Sequence, residues 1–193
     1  MGYKTMDANE AVSRVSYKFT EIAGIYPITP ASPMAEKVDV LASKGEINFW
    51  GNKVKVIEME SEKGAIATVH GALQAGVLAT TYTASQGLLL MIPSIYKMAG
   101  EMLPGVIHVA ARSLSTHSLS IFGDHQDIYA VRQTGACMLS SSSVEEAYHM
   151  AMVSHLASIK SSLPFINFFD GFRTSHEIDK VKEIDLSKLE TFI

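Results

Sequence analysis

Short apolar runs alternate along most of this chain with longer segments whose apolar residues recur every three or four positions. Four apolar residues between Val12 and Ile22 have this helical spacing, and Asp7 with Glu10 before them is typical of a capping box. We therefore expect a first helix that ends near Gly24. The apolar runs are expected to be strands, at residues 25–28, 77–83, 106–111, 136–141 and 164–169, and the alternating segment 53–59 is expected to be a further strand.

A helix is expected after most of these strands. In the segment YPITPASP, Ser32 is a candidate N-cap with Pro33 at the first helical position, and Gly45 ends the helix that follows. The next helix is rich in Ala and Gly, which predicts that a neighbouring backbone packs close to it. Serine caps are predicted for the later helices at Ser61, Ser85, and Ser142 or Ser143.

This alternation predicts the α/β class, with a doubly wound, mainly parallel six-stranded sheet and helices on both faces. We expect one α/β domain over residues 1–178 and a charged tail, or the start of a linker, over 179–193. Ligands of such sheets bind beyond the carboxyl ends of the strands. Polar turns follow four of the strands, and their sequences are ITPAS, ESEKG, TASQG and ARSLSTH. They contain no G-x-G-x-x-G or P-loop pattern, which disfavours a standard dinucleotide or nucleoside triphosphate site.

Composition narrows the class of protein. The chain has 193 residues, 47% of them hydrophobic, a net charge of −4 and an isoelectric point near 6.0, which argues against a nucleic-acid partner. Cys137 is the only cysteine, so the chain cannot form an internal disulfide or hold an iron–sulfur cluster by itself, and a cytoplasmic location is expected. Residues 64–96 lack charge, but TTYTASQG interrupts them, which favours a buried helix–strand–helix unit over a membrane span.

Three residues at predicted strand ends carry candidate chemistry. Glu62 lies in a first helical turn, either as a solvated charge or as a partly desolvated carboxylate that shares a proton with a ligand. Arg112 either pairs with Asp124 or Asp127 in its own loop or grips a ligand carboxylate. Thr29 either closes a turn or donates its hydroxyl to the same carboxylate. The motif GDHQD, which contains both aspartates, is interpreted as a local hydrogen-bond cluster, and no metal site is predicted.

Several long motifs in order resemble the N-terminal domain of pyruvate:ferredoxin (or flavodoxin) oxidoreductase. They are IYPITPASPMAE, EMESEKGAIATVHGAL, TYTASQGLLLMIPSIYKMAGEMLPGVIHVAAR, LSIFGDHQDIYAVRQTG and FFDGFRTSHE. The resemblance implies a cytoplasmic, homodimeric thiamine diphosphate enzyme that converts pyruvate and CoA to acetyl-CoA and CO2. Electrons pass through [4Fe-4S] clusters to ferredoxin or flavodoxin.

By this resemblance, the chain is the domain that binds the cofactor's aminopyrimidine. Glu62 is implied to be the catalytic, cofactor-binding glutamate, which hydrogen-bonds a pyrimidine nitrogen. Thr29 and Arg112 are implied to bind the pyruvate carboxylate.

Two features depart from the family's pattern. A small residue is expected after the catalytic glutamate, but Lys63 is found, and its helical position predicts that it faces solvent. The domains expected to hold Mg2+, CoA and the [4Fe-4S] clusters are not in this sequence, so the chain is expected to be inactive alone. A non-catalytic interaction or dimerisation module, or the equivalent domain for another 2-oxoacid, remains an alternative.

Overall fold

The computed structural model describes residues 2–193 and contains two sheets and six α-helices. The strands are β1 Tyr3–Met6, β2 Ile22–Ile25, β3 Lys55–Glu58, β4 Ala79–Thr83, β5 Val106–Ala111, β6 Cys137–Ser141, β7 Phe165–Asp170 and β8 Asp179–Lys182. The α-helices are α1 Ala8–Phe19, α2 Ser32–Ser43, α3 Glu62–Gln74, α4 Ser85–Gly100, α5 Gln126–Val131 and α6 Val144–Ser161. A 3-10 helix follows at Leu186–Phe192.

The main sheet has six strands in the order β3-β2-β4-β5-β7-β6, and every neighbouring pair in it is parallel. The predicted α/β class and doubly wound, six-stranded parallel sheet are therefore confirmed. All six carboxyl ends lie at one edge. The chain leaves β2 toward β3 and returns to the other side for β4, so the switch point of the sheet lies between β2 and β4.

Helices cover both faces of this sheet. One buried cluster joins α1, α2 and α6 to one face, and a second joins α3, α4 and α5 to the other. Side chains of β5 alternate between them, since Ile107 and Val109 belong to the second cluster and Ala110 to the first. This two-sided burial explains why inner strands such as β5 and β7 are mostly apolar in the sequence.

The first helix ends earlier than predicted, and the first strand of the main sheet both begins and ends earlier. Helix α1 ends at Phe19, and β2 covers Ile22–Ile25 rather than residues 25–28. Gly24 is therefore inside the strand and does not stop a helix. A Cβ on Gly24 would lie 2.6 Å from the carbonyl oxygen of Ala65 in α3. This contact confirms that a neighbouring backbone packs close to the Ala- and Gly-rich helix.

The predicted helix caps are confirmed in part. Asp7, Ser61 and Ser143 each accept a hydrogen bond from the backbone three residues on. The caps predicted at Ser32 and Ser85 are wrong, because each is the first residue of its helix and neither helix has a side-chain cap. Instead, the backbone N–H of Ser85 donates to a side chain far along the chain.

The last residues of the chain pack on the domain. Strand β8 pairs with β1 in a small antiparallel sheet, in which Tyr3 lies opposite Lys182, and Val181 is fully buried. The sequence did not predict this sheet, and a domain boundary at residue 178 stays a prediction. The uncharged residues 64–96 form most of α3, all of β4 and most of α4. Within residues 2–193, no helix has the length and apolar character that a membrane span requires.

Candidate active site

The carboxyl edge of the main sheet carries all three predicted site residues. Thr29 lies in the loop after β2, Glu62 follows β3 at the start of α3, and Arg112 directly follows β5. The structure thus brings the segments that follow three strands of the sheet to one edge. Arg112 and Thr29 are in direct contact, whereas Glu62 contacts the turn after β4.

Glu62 is a buried carboxylate at a helix N-terminus. Ser61 accepts a hydrogen bond from the N–H of Gly64 at 3.2 Å, which begins α3 at Glu62. The Glu62 residue is only 7% exposed, and none of the ion pairs within residues 2–193 involves it. Its carboxylate is therefore largely removed from solvent and is not paired with a basic side chain. Lys63 is exposed, as predicted, and does not pair with it.

The turn from β4 into α4 provides the space for this carboxylate. A Cβ on Gly87 would lie 2.8 Å from both Cγ and Oε1 of Glu62, and 2.6 Å from the hydroxyl oxygen of Thr83. Only glycine leaves Glu62 in this position. The Thr83 hydroxyl is buried and has no hydrogen-bond partner within residues 2–193. Such a buried hydroxyl next to a carboxylate is suited to a polar ligand group.

Arg112 is a buried cation without an acidic partner. It is 7% exposed, and its Nη1 and Nε donate to the carbonyl oxygens of Thr29 and Ser120, each at 2.8 Å. The ring of Phe172 lies 5.6 Å from its Cζ atom. The alternative in which its side chain pairs with Asp124 or Asp127 does not occur, since no ion pair of Arg112 is found within residues 2–193.

The proline loop after β2 is fixed from two sides. Asn9 of α1 donates to the carbonyl oxygen of Pro30 at 3.1 Å, and Arg112 donates to that of Thr29. The side chain of Thr29 is exposed, so its hydroxyl is accessible from the sheet edge. The loop therefore presents the Thr29 hydroxyl on a backbone that hydrogen bonds hold in place.

Two glycines allow the loops around Arg112 to pack together. A Cβ on Gly171 would lie 2.6 Å from the carbonyl oxygen of Ala111 and 2.7 Å from Cγ of Pro30. A Cβ on Gly123 would lie 2.5 Å from the carbonyl oxygen of Gly171. The segment after β7 therefore packs closely on the backbone of β5 and of the loop that follows it, and on the Pro30 ring of the loop after β2. Groups of these three segments surround the guanidinium.

Sequence reasoning missed the role of Asp127. This side chain is fully buried and accepts hydrogen bonds from the backbone N–H groups of Ser85, Arg112 and Ile128. Burial raises the pKa of the Asp127 carboxyl, and the three donors act in the opposite direction. Two of the donors lie 42 and 15 residues away, so the motif GDHQD gave no local signal for them.

The rest of GDHQD also has distant partners. Nε2 of His125 lies 2.9 Å from Oδ1 of Asp170 at the end of β7. The motif is thus a hydrogen-bond cluster, although it ties three strand ends together and is not local. Within residues 2–193, no group of three or more His, Cys, Asp or Glu side chains is arranged to hold a metal ion.

A doubly wound parallel sheet, with a buried carboxylate and a buried guanidinium at its carboxyl edge, defines an α/β ligand-binding domain. The chain belongs to the family described as "Pyruvate flavodoxin/ferredoxin oxidoreductase, thiamine diP-bdg", which matches residues 14–193. The resemblance stated from the sequence motifs is therefore confirmed.

Relatives with assigned functions are similar along almost the whole chain. The pyruvate-flavodoxin oxidoreductase of Klebsiella pneumoniae is 60% identical over 98% of this chain and 16% of its own length. The pyruvate:ferredoxin oxidoreductase of Moorella thermoacetica is 58% identical, again over 98% of this chain and 16% of its own length. The chain thus spans about a sixth of these relatives. A solved 2-oxoglutarate:ferredoxin oxidoreductase from Magnetococcus marinus has the same fold, with a TM-score of 0.79 and 23% identity over 93% of this chain and 31% of that one.

Proposed function

We propose that this chain is the part of a pyruvate:ferredoxin or pyruvate:flavodoxin oxidoreductase that binds the aminopyrimidine of thiamine diphosphate and the carboxylate of pyruvate. The observation that carries the proposal is the burial of the unpaired Glu62 carboxylate, at the same sheet edge as the unpaired Arg112 guanidinium. Two opposite charges, each buried without an ionic partner, are unfavourable unless a ligand compensates them. The family match supports this assignment.

The residues present fit the pyrimidine part of thiamine diphosphate. Glu62 has an acceptor oxygen beside Gly87, where no side chain intervenes, and the Thr83 hydroxyl close by has no partner within residues 2–193. When bound, thiamine diphosphate supplies the carbon nucleophile and the electron sink for decarboxylation of a 2-oxoacid. Glu62 would hold a proton between its carboxylate and a pyrimidine ring nitrogen. Its burial limits the access of water to that proton.

Arg112 and Thr29 are suited to orient the substrate. A guanidinium has five N–H donors, and carbonyl oxygens of this chain engage two of them, at Nη1 and Nε. The remaining donors are free to hold a carboxylate, and the exposed Thr29 hydroxyl would add another. Their contribution is to fix the 2-oxoacid relative to the cofactor. Any 2-oxoacid has this carboxylate, so the choice of pyruvate rests on the relatives' names.

The other components of the reaction are assigned to regions that this chain does not cover. We infer that Mg2+, the [4Fe-4S] clusters, CoA and the electron acceptor, ferredoxin or flavodoxin, bind there. We also propose that the whole enzyme is a homodimer. A cytoplasmic location is proposed because the single free cysteine fits a reducing compartment.

A hybrid holoenzyme tests the proposal, with this chain replacing the matching part of the Klebsiella pneumoniae relative. Pyruvate-dependent reduction of flavodoxin is measured for the hybrid, for Glu62→Gln and for Glu60→Gln, a matched control because Glu60 is exposed in the same acidic run. We expect an active hybrid, a fall in kcat of about 100-fold or more for Glu62→Gln, and little change for Glu60→Gln.

Other outcomes separate the alternatives. A folded hybrid whose activity is the same with Glu62→Gln would contradict the catalytic assignment and support an interaction module. A hybrid that oxidises 2-oxoglutarate but not pyruvate would contradict the substrate assignment alone.

A further inference from the structure

One buried carboxylate joins two neighbouring strands at the edge that carries the candidate site. Oδ2 of Asp127 accepts from the backbone N–H of Ser85 at 2.8 Å and from that of Arg112 at 3.0 Å. Its Oδ1 accepts from the N–H of Ile128 at 2.8 Å. Ser85 comes just after β4 and Arg112 just after β5, and these strands pair in parallel. A single oxygen atom thus sets the spacing of two strand ends.

The turn on the β4 side depends on this carboxylate for its conformation. Ser85 has a φ of 52°, in the left-handed region that residues other than glycine seldom adopt. Its N–H is held by Asp127, and its hydroxyl donates to the carbonyl oxygen of Ser113 at 2.7 Å. Two residues later, Gly87 forms the wall against which Glu62 packs.

The strand end on the β5 side leads to the substrate-binding group. The backbone N–H of Arg112 donates to Asp127, and its guanidinium donates to the carbonyl oxygen of Thr29. Its backbone also forms an isolated antiparallel bridge with Gly123. A shift of the Arg112 backbone would therefore displace the guanidinium relative to the Glu62 wall.

We propose that Asp127 is a positioning residue for the oxidation of the 2-oxoacid, since it fixes the Arg112 backbone against the Ser85 turn and thereby aims the guanidinium at the substrate carboxylate. This inference rests on the proposed function. Asp127 acts without touching the ligand, because it is fully buried and its two oxygens are engaged by backbone donors. Three backbone bonds to one carboxylate favour its charged form, which accepts them most strongly.

The substitution Asp127→Asn replaces one of the two acceptor oxygens by an NH2 donor with little change of volume. The amide NH2 must face either the N–H groups of Ser85 and Arg112 or that of Ile128. At least one hydrogen bond is then lost, because two N–H donors face each other. In the hybrid holoenzyme, we expect the KM for pyruvate to rise about tenfold or more, because a small displacement of a positioning group weakens substrate orientation. The KM for CoA is expected to stay unchanged.

A double-mutant cycle distinguishes positioning from general loss of stability. When Arg112→Gln is already present, Asp127→Asn should change the KM for pyruvate by less than about twofold, since the group that it positions is gone. Asn48→Ala is the matched control. Asn48 is a buried side chain that accepts backbone N–H bonds at the opposite, amino edge of the sheet. This variant should lose thermal stability and keep both KM values.

The outcomes separate this inference from the proposed function. If Arg112→Gln leaves the KM for pyruvate unchanged, the proposed function fails. If Arg112→Gln raises this KM but Asp127→Asn does not, only the positioning role is overturned. The same holds if the rise in KM of the double variant equals the product of the two single rises. Should Asp127→Asn fail to fold by circular dichroism, Asp127→Glu is used instead. It keeps both acceptor oxygens but displaces them, and the same rise in KM for pyruvate alone is expected.

Discussion

The guanidinium of Arg112 donates a hydrogen bond over 2.8 Å to the backbone carbonyl oxygen of Thr29. Strand β4 lies between the two strands that these residues follow, so the contact ties loops that are not adjacent in the sheet. Because the acceptor belongs to the backbone, the contact does not use the side chain of Thr29. The two residues can therefore be tested separately.

Arg112→Gln and Thr29→Val should weaken substrate binding to different extents. In the hybrid holoenzyme, we expect Arg112→Gln to raise the KM for pyruvate about 100-fold, because a charge-assisted bond to a carboxylate contributes about 1.5–3 kcal/mol. Thr29→Val keeps the carbonyl acceptor and should raise it about tenfold, as for a neutral hydrogen bond. Steady-state kinetics measure both. Equal effects of the two substitutions would contradict this division of roles.

Gly87→Ala should displace the Glu62 side chain while leaving its carboxylate chemically unchanged. The added Cβ would meet Oε1 and Cγ of Glu62 at 2.8 Å, and the Thr83 hydroxyl oxygen at 2.6 Å, so the glutamate must move. We expect kcat in the hybrid to fall about 100-fold, since a catalytic group displaced by about 1 Å can lose that much.

Gly100→Ala is the control for this glycine on the same helix. Among the described residues 2–193, a Cβ there has no neighbour within 4 Å, so activity should be kept and stability raised by about 0.5–1 kcal/mol. The interpretation of the Gly87 wall would be wrong if both alanines left kcat unchanged.

The extent to which the fold could be predicted depended on burial. Strand β5 was predicted over residues 106–111 and occurs at Val106–Ala111, because all six residues are buried and all except His108 are apolar. Strand β2 was misplaced by three residues, since Gly24 resembles a helix stop in sequence. Its actual reason is the close approach of the Ala65 carbonyl, which is a contact between distant parts of the chain. The short β1–β8 pair has mixed polarity and gave no pattern.

The candidate site, too, could be predicted only in part from the sequence. Glu62, Thr29 and Arg112 could be located from the sequence because parallel strands bring their carboxyl ends to one edge. The contacts around these three residues could not be predicted from the sequence. The Asp127 contacts join residues 42 and 15 positions apart, and the space beside Gly87 becomes visible only when α3 and α4 are packed.

Gly171→Ala should destabilise the chain and loosen the loops around Arg112. Its Cβ would lie 2.6 Å from the carbonyl oxygen of Ala111 and 3.0 Å from that of Ala110, and backbone atoms of a central strand cannot easily shift. We expect a loss of about 1–3 kcal/mol in the free energy of unfolding, as for other overpacked sites. Urea denaturation of the isolated chain measures it, with Gly71→Ala as the control because a Cβ there meets nothing within 4 Å. A Gly171→Ala variant as stable as this control would contradict the packing.

Two buried histidines should make the chain sensitive to acid. His108 of β5 and His155 of α6 are both buried, with their Nε2 atoms 3.1 Å apart, and His108 also bonds to Asn167. Burial lowers the pKa of His155 from 6.5 to about 3 and holds the pKa of His108 well below its usual range. Both rings are therefore neutral in the folded protein, and they stack between Tyr82 and Phe19.

The direction of the pH dependence follows from these pKa values. Below a pH of about 6.5 the unfolded chain takes up protons at both histidines and the folded chain does not, so stability is full above that pH and falls as the pH is lowered. For His155, the loss between pH 7.5 and pH 5 is on the order of 2 kcal/mol. In His155→Phe, which keeps a ring next to Phe19, this contribution is absent.

Urea denaturation of the chain at several pH values between 7.5 and 5 tests this prediction. At pH 7.5, His155→Phe should be less stable by about 1 kcal/mol, because His108 loses a hydrogen-bond partner. The difference should shrink or reverse by pH 5, since the variant lacks one of the two titrating groups. His117→Gln changes an exposed histidine and should follow the unsubstituted chain at every pH. If the curves of His155→Phe and the unsubstituted chain stayed parallel, His155 could not be a buried, neutral group in the folded state.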